Sequence, residues 1–574
     1  MLFVLISWVW IGLSAFLWGY AGLQIIKKVS GYQSRELDLT FMLGICFLTV
    51  YAQLFSLFYK VGAAATVILL LVNMIILLLG RKEIFAQIRG WMHSSEIVIK
   101  VVILAVLSLL MLMIAATGAA HYDTYLYHAQ SIRWIEEYGI VPGLGNLHNR
   151  LAYNSSIFSL QALFSLKFLL GRSLHTINSF VVLVIVGYAL CSFQFFKKRK
   201  FCTSDFMRLA VLIFMVGEEN CNSISSPCSD ILALGLVLYL FLKWLDYMER
   251  GEKEIAPYAI LCLLGVFAVS VKLSVAMIVL LVIIPAVRLI AQKRWKQIAF
   301  YIGTGIVIIA PFLIRNVVIS GYLIYPYPEL DLFSVDWKMP EYTLLFDRNE
   351  IKTWGWGLND VYRFKAPISE WFPVWTSKLG TGMDKLFYLD VLLLIPSLVV
   401  GIRKGIVKKE WDYLLIVGTM IACLLLWFLG SPLPRYGGVF LIILPMFVLG
   451  EILRYLQKER VYGFWTVPIA LVLIGYLVLP MFRFVSTNEF TEIKAPDYVE
   501  AVAEGHILDS ETIYVPVYTD QASYNAFPST PYINILSRIE LRGERLKQGF
   551  KMKDEYRNAC VENNGSVKET NMFE

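Results

Sequence analysis

The sequence predicts an all-α polytopic membrane protein of about fourteen transmembrane helices. Three observations carry that prediction. Of the 574 residues, 58% are hydrophobic and only 17% are charged. The mean hydropathy is +0.63. Uncharged apolar runs about 20 residues long, the length that crosses a bilayer, recur from one end of the chain to the other. The net charge of +7 is modest, and Lys and Arg fall in short loops. That pattern fits membrane topology and excludes nucleic acid as a partner. The eight cysteines show no metal-ligand spacing. Cys221 and Cys228 lie near one outer loop, where a disulfide is one option. The first apolar run lacks a charged leader and a small-residue cleavage site, so a retained helix is expected rather than a signal peptide.

Residues 2–26, 37–58 and 62–79 read as three spans, and residues 1–96 as an N-terminal unit. Lys27, Lys28 and Arg35 follow the first span, and Arg81, Lys82 and Arg89 follow the third. The positive-inside rule puts both groups in the cytoplasm. The fourth span, 97–117, then delivers residues 118–154 to the outer side. The segment 155–170 is apolar but short. If it crossed, Lys197, Lys198, Arg199 and Lys200 would land outside, so an interfacial or re-entrant helix is expected there. Spans at 174–196, 207–219, 231–247, 256–270, 273–291 and 298–317 follow. An outer segment, 320–385, carries Trp337, Trp354, Trp356, Trp371 and Trp375. Spans at 386–402, 413–429, 436–455 and 464–484 make up a C-terminal group, 386–485. A polar tail, 486–574, ends on the outer side.

The outer loop 118–172 holds the chemistry. Its first part, GAAHYDTYLYHAQSIRWIEEYGIVPGLGNLHNRLAYN, contains His121, His128 and His148, half of the six histidines, together with Asp123, Glu136, Glu137, Arg133 and Arg150. So many ionisable groups beside a bilayer point to binding or catalysis. If 123–138 is helical, Tyr122, Tyr125, Ala129, Ile132 and Ile135 share an apolar face. Asp123, Tyr127, Gln130 and Trp134 share another, with Asp123 at the N-terminal end. The loop GEENCNSISSPCSD adds Glu218, Glu219 and Asp230 at the same level. The alternative role for Asp123 and Asp230 is simple helix capping. By span parity, Lys272, Arg315 and Arg435 with Tyr436 also reach the outer side. Together with Arg150 they could clamp a phosphate, or each could anchor a lipid headgroup.

An acidic motif opening a Tyr-rich amphipathic helix (Asp123, Tyr125, Ala129), an interfacial helix at 155–170 and the basic run 197–200 together resemble the GT-C superfamily. So do seven spans over 97–319 followed by a large outer loop, and the stretch IRNVVISGYLIYP at 314–326. These are glycosyltransferases that use polyprenyl-phosphate sugars, among them aminoarabinose transferases and protein O-mannosyltransferases. Many members carry Asp-Glu at the first-loop motif, whereas Thr124 follows Asp123 here.

The resemblance implies an inverting transfer, at the outer face of a bacterial inner membrane, to a glycan, lipid or protein acceptor. It implies Asp123 as base or metal-orienting carboxylate, with Glu219 and Asp230 as catalytic partners. His128, Arg150, Lys272, Arg315, Arg435 and Tyr436 would then bind substrate. A divalent Mg or Mn ion on Asp123 and His121 is the implied cofactor. Two other classes are an O-antigen-type polymerase or ligase and a lipid-linked oligosaccharide transporter. A transporter would place its main cavity at mid-membrane and a transferase at the outer face.

Overall fold

The computed structural model describes residues 1–92, 97–380, 382–457, 462–494 and 497–557, without the side chains of Glu218 and Glu219. The chain is a helical bundle. Among the described residues, twelve helices are long and apolar enough to cross a membrane. Two of the expected spans are shorter. Ile255–Val271 has 17 residues. Thr203–Met215 has 13, or roughly 20 Å at 1.5 Å per residue. The second stays inside the bundle because its polar residues are paired there. Arg208 is wholly buried and donates to both carboxylate oxygens of Asp246, at 2.6 and 2.7 Å.

The three N-terminal helices are built into the bundle. Leu2–Ser30 and Leu37–Phe58 cross at the backbone. A Cβ on Gly19 would lie 1.8 Å from the Thr40 carbonyl oxygen, and one on Gly44 would lie 1.8 Å from that of Ala15. Small residues permit this close crossing, which replaces the hydrophobic drive that lipid removes. Gly44→Ala must push the helices apart, and overpacking of this kind costs about 1–3 kcal/mol. We expect a lower unfolding midpoint for this variant in detergent; an unchanged midpoint would disprove the crossing.

The segment 155–170 is neither a span nor a surface helix. Every residue of Ser156–Phe164 is buried. The chain then breaks at Leu166 (φ +52°), and the turn Lys167–Leu170 exposes Phe168 and Leu169. This short helix packs against Leu37–Phe58 on one side and Ala129–Tyr138 on the other.

The tail is a folded layer and not a loose polar extension. It contains two antiparallel hairpins, Ala503–Leu508 with Glu511–Pro516 and Ile539–Leu541 with Phe550–Met552. Ile513, Ile539 and Phe550 are fully buried, in one cluster with Trp134, Leu147 and Tyr325. The tail thus covers the helix that follows Asp123. Gln130 donates to the carbonyls of Ser523 and Ala526, at 2.7 and 2.8 Å. Arg133 donates to that of Tyr524 at 2.6 Å and lies over the Phe527 ring. The face that carries Gln130 and Trp134 is therefore covered by the tail. The thiols of Cys221 and Cys228 donate to the carbonyls of Gly217 and Ser223 and form no disulfide.

Candidate active site at one end of the bundle

A cavity of about 1460 Å³ opens at one end of the bundle. Small-molecule pockets span roughly 300–1,000 Å³, so this one is larger than a single small molecule needs. Its lining comes from helix ends and loops. Asp123 and Tyr127 follow the fourth span; Lys272 sits where Ile255–Val271 gives way to Leu273–Val282; Arg435 and Tyr436 precede Phe440–Gln457. Span parity predicted this convergence.

Asp123 begins a single π turn, Thr124–His128, which continues as Ala129–Tyr138. Its carboxylate makes no capping bond. It faces Arg435 at 3.0 Å, and its side chain is only 11% exposed. Burial pushes this carboxyl up, but Arg435 and the neighbouring His128 outweigh burial and hold it below its usual value. Asp123 is therefore ionised at neutral pH. Arg435 donates a second bond, 2.8 Å, to the Tyr436 hydroxyl. Its side chain stays 37% exposed, enough to meet a ligand.

Lys272 lies over the Tyr436 ring, its Nζ 4.1 Å from the centroid. It is ion-paired with Asp230. Burial and Arg435 depress the Lys272 ammonium, whereas Asp230 in contact and nearby Asp123 favour its charged form. Asp230 makes no cap either, since Cys228 holds that position. Asp123, Arg435, Tyr436 and Lys272 form one chain of contacts along the wall, and Lys272 pairs in turn with Asp230. Asp230 is spent on Lys272 and does not appear among the lining residues, which corrects its expected place beside Asp123. The side chain of Glu219 lies outside the described residues.

Three other expectations are corrected. Arg315 does not line this cavity. It is buried and braces three segments, donating to Asn154 (3.0 Å), Ser56 (2.6 Å) and the Gly139 carbonyl (3.3 Å). Arg150 lines the cavity, but its guanidinium is committed to Asp347 at 3.0 Å and Glu350 at 2.7 Å. His128 lies behind Asp123, its ring 4.3 Å from Tyr127 and 5.3 Å from Phe158 between centroids. Burial pushes His128 well below the usual histidine range.

His121 is pushed down to about 4, mainly by burial. Its Nδ1 accepts the Asp123 backbone N–H at 3.3 Å. A neutral His121 is a competent metal ligand, yet the donor set is thin. Among the described residues no three His, Cys, Asp or Glu side chains meet, and Arg435 already engages the Asp123 carboxylate.

Residues 320–385 supply a carboxylate, Glu350, that sequence reasoning passed over. Glu341–Gly355 is a helix, and Asp347, Glu350 and Trp354 recur on it at three- and four-residue spacing. That pattern was the available signal. Burial pushes the Glu350 carboxyl up to about 7, with Arg150 opposing and Asp347 adding to the rise. From the tail, Asp520 and Tyr532 complete the wall, and Asp520 accepts the Tyr122 hydroxyl at 2.7 Å. The side nearest the bundle is apolar, with Trp427, Phe428 and the exposed Leu429.

A family model described as a domain of unknown function, DUF8201, matches residues 1–442. No curated protein and no solved structure matches the chain. The matched region includes Asp123, Asp230, Lys272, Arg435 and Tyr436, whereas Asp520 and Tyr532 lie beyond it.

Proposed function

The chain belongs to the DUF8201 family, and we propose that it is an integral membrane glycosyltransferase of GT-C type. On this reading it moves a sugar from a polyprenyl-phosphate carrier to a glycan, lipid or protein acceptor. The GT-C-like core over 97–319, the fourteen crossings and the outer, periplasmic position of the site belong to the same reading. The supporting observation is the composition of the cavity. An ionised carboxylate, Asp123, shares one end of it with two cations, Lys272 and Arg435, that still face open space. A transporter would hold its ligand near mid-bundle, and this lining comes from the bundle's end.

Each group then has a task. Lys272 and Arg435 take the phosphate, whose negative charge grows as it leaves. Asp123 orients the attacking hydroxyl and accepts its proton as the oxygen bonds to the anomeric carbon. The bond from that carbon to the phosphate oxygen breaks on the opposite face, so the configuration inverts. Phosphate competes with Asp123 for Arg435, which frees the carboxylate when donor is present. The prenyl chain leaves past Leu429 into lipid.

Lys272→Ala and Arg435→Ala test the donor half. A hydrogen bond to a charged group is worth about 1.5–3 kcal/mol, and 1.4 kcal/mol is tenfold in affinity. Each variant is expected to weaken binding of polyprenyl monophosphate to the purified protein by about tenfold or more. Unchanged affinity in both would refute the phosphate site.

A further inference from the structure

The part of the cavity lined by Arg150, Glu350 and Trp354 has a different chemistry. Asp347 is fully buried and saturated. It accepts Arg150 (3.0 Å), Asn149 (3.0 Å), Tyr325 (3.1 Å) and the Tyr153 hydroxyl. It is an anchor that fixes Arg150. Glu350, one turn further along the same helix, accepts from Arg150 at 2.7 Å, and its side chain stays 25% exposed. One more turn on, Trp354 is 37% exposed, and the Arg150 guanidinium lies 5.3 Å from its ring centroid. All three residues, Arg150, Glu350 and Trp354, line the cavity.

A half-open indole beside a carboxylate and a guanidinium matches one ligand shape well. A pyranose has an apolar C–H face that lies on an aromatic ring and a rim of hydroxyls that bond to charged groups.

We infer that the acceptor is a saccharide, seated on Trp354 and held through its hydroxyls by Glu350, which Arg150 fixes in place. The inference rests on the transferase reading. Glu350 and Trp354 bind the acceptor, and Asp123 remains the group that takes the proton. The deep Glu350 carboxyl accepts hydroxyl bonds when ionised, so acceptor binding tightens as pH rises through about 7.

The test uses cells deleted for the chain and complemented with wild type, Asp123→Asn, Glu350→Gln or Trp354→Ala. The envelope is separated into polysaccharide, protein and lipid fractions for glycosidic linkage analysis. The sugar missing with Asp123→Asn should be one joined to another sugar. Glu350→Gln and Trp354→Ala should lower that linkage at least about tenfold. Purified Glu350→Gln and Trp354→Ala should still bind polyprenyl monophosphate within about twofold of wild type, which a collapsed fold would not. A missing sugar attached to a protein side chain or a lipid headgroup overturns the inference and leaves the transferase standing. So do normal linkage levels in both variants. Deletion that alters no fraction defeats the transferase reading and the inference with it.

Discussion

Replacing Asp123 by asparagine is expected to lower sugar transfer by about 10²–10⁴-fold, the range that general-base catalysis supplies. The amide keeps the shape of the side chain and loses both the proton acceptor and the charge facing Arg435 at 3.0 Å. The fold should survive, because Asp123 makes no capping bond whose loss would fray the helix that follows. Donor binding should hold or tighten, since Arg435 no longer has a carboxylate competing with the phosphate. Transfer and polyprenyl-phosphate affinity measured on the same membranes separate these effects. Near-normal turnover by Asp123→Asn removes the carboxylate from the mechanism.

The second large effect concerns stability. Asp246→Ala should destabilise the protein by about 3–5 kcal/mol, the cost of breaking a buried ion pair from one side. Asp246 accepts both Arg208 bonds and the Tyr188 hydroxyl, and both partners of the ion pair are at most 1% exposed. The variant leaves a guanidinium buried with only Ser192 and Ser204 at hydrogen-bond distance and Asp205 at its limit. The double change Asp246→Leu with Arg208→Met should recover most of the loss, because an apolar pair removes both desolvated charges. Thermal unfolding in detergent reads both results. A loss below about 1 kcal/mol in the single variant would show that the pair is spectator to the fold.

The parts of the site that could be read in advance share one property. Asp123, Lys272, Arg435 and Tyr436 are polar groups at the boundaries of apolar spans, and counting spans places them at one end. Counting cannot tell which way a side chain points. Arg315 and Lys272 look alike in sequence, yet one faces Asn154 and Ser56 in the interior while the other faces the cavity. Pairing is equally hidden: Asp230 lies 42 positions from Lys272, and only the fold shows that each occupies the other.

Trp354 was read among the tryptophans of residues 320–385, but Glu350 was missed because that stretch has no hydropathy contrast to frame it. Their spacing on one helical face was visible, but only a known helix gives that spacing meaning. The tail hid its strands for a related reason. Ala503–Leu508 is mostly solvent-facing, with only Leu508 buried, so its alternation is too weak to mark a strand. The close crossing at Gly19 and Gly44 depends on which helices pair, which a list of spans does not state.

The most direct test of the account is an electron cryo-microscopy reconstruction of the protein in nanodiscs with polyprenyl monophosphate. The account predicts phosphate density touching Lys272 and Arg435, with the prenyl chain passing Leu429 into the bilayer and Arg435 drawn away from Asp123. Phosphate density at mid-bundle, or a lipid phosphate bound elsewhere while this cavity stays clear, would contradict it.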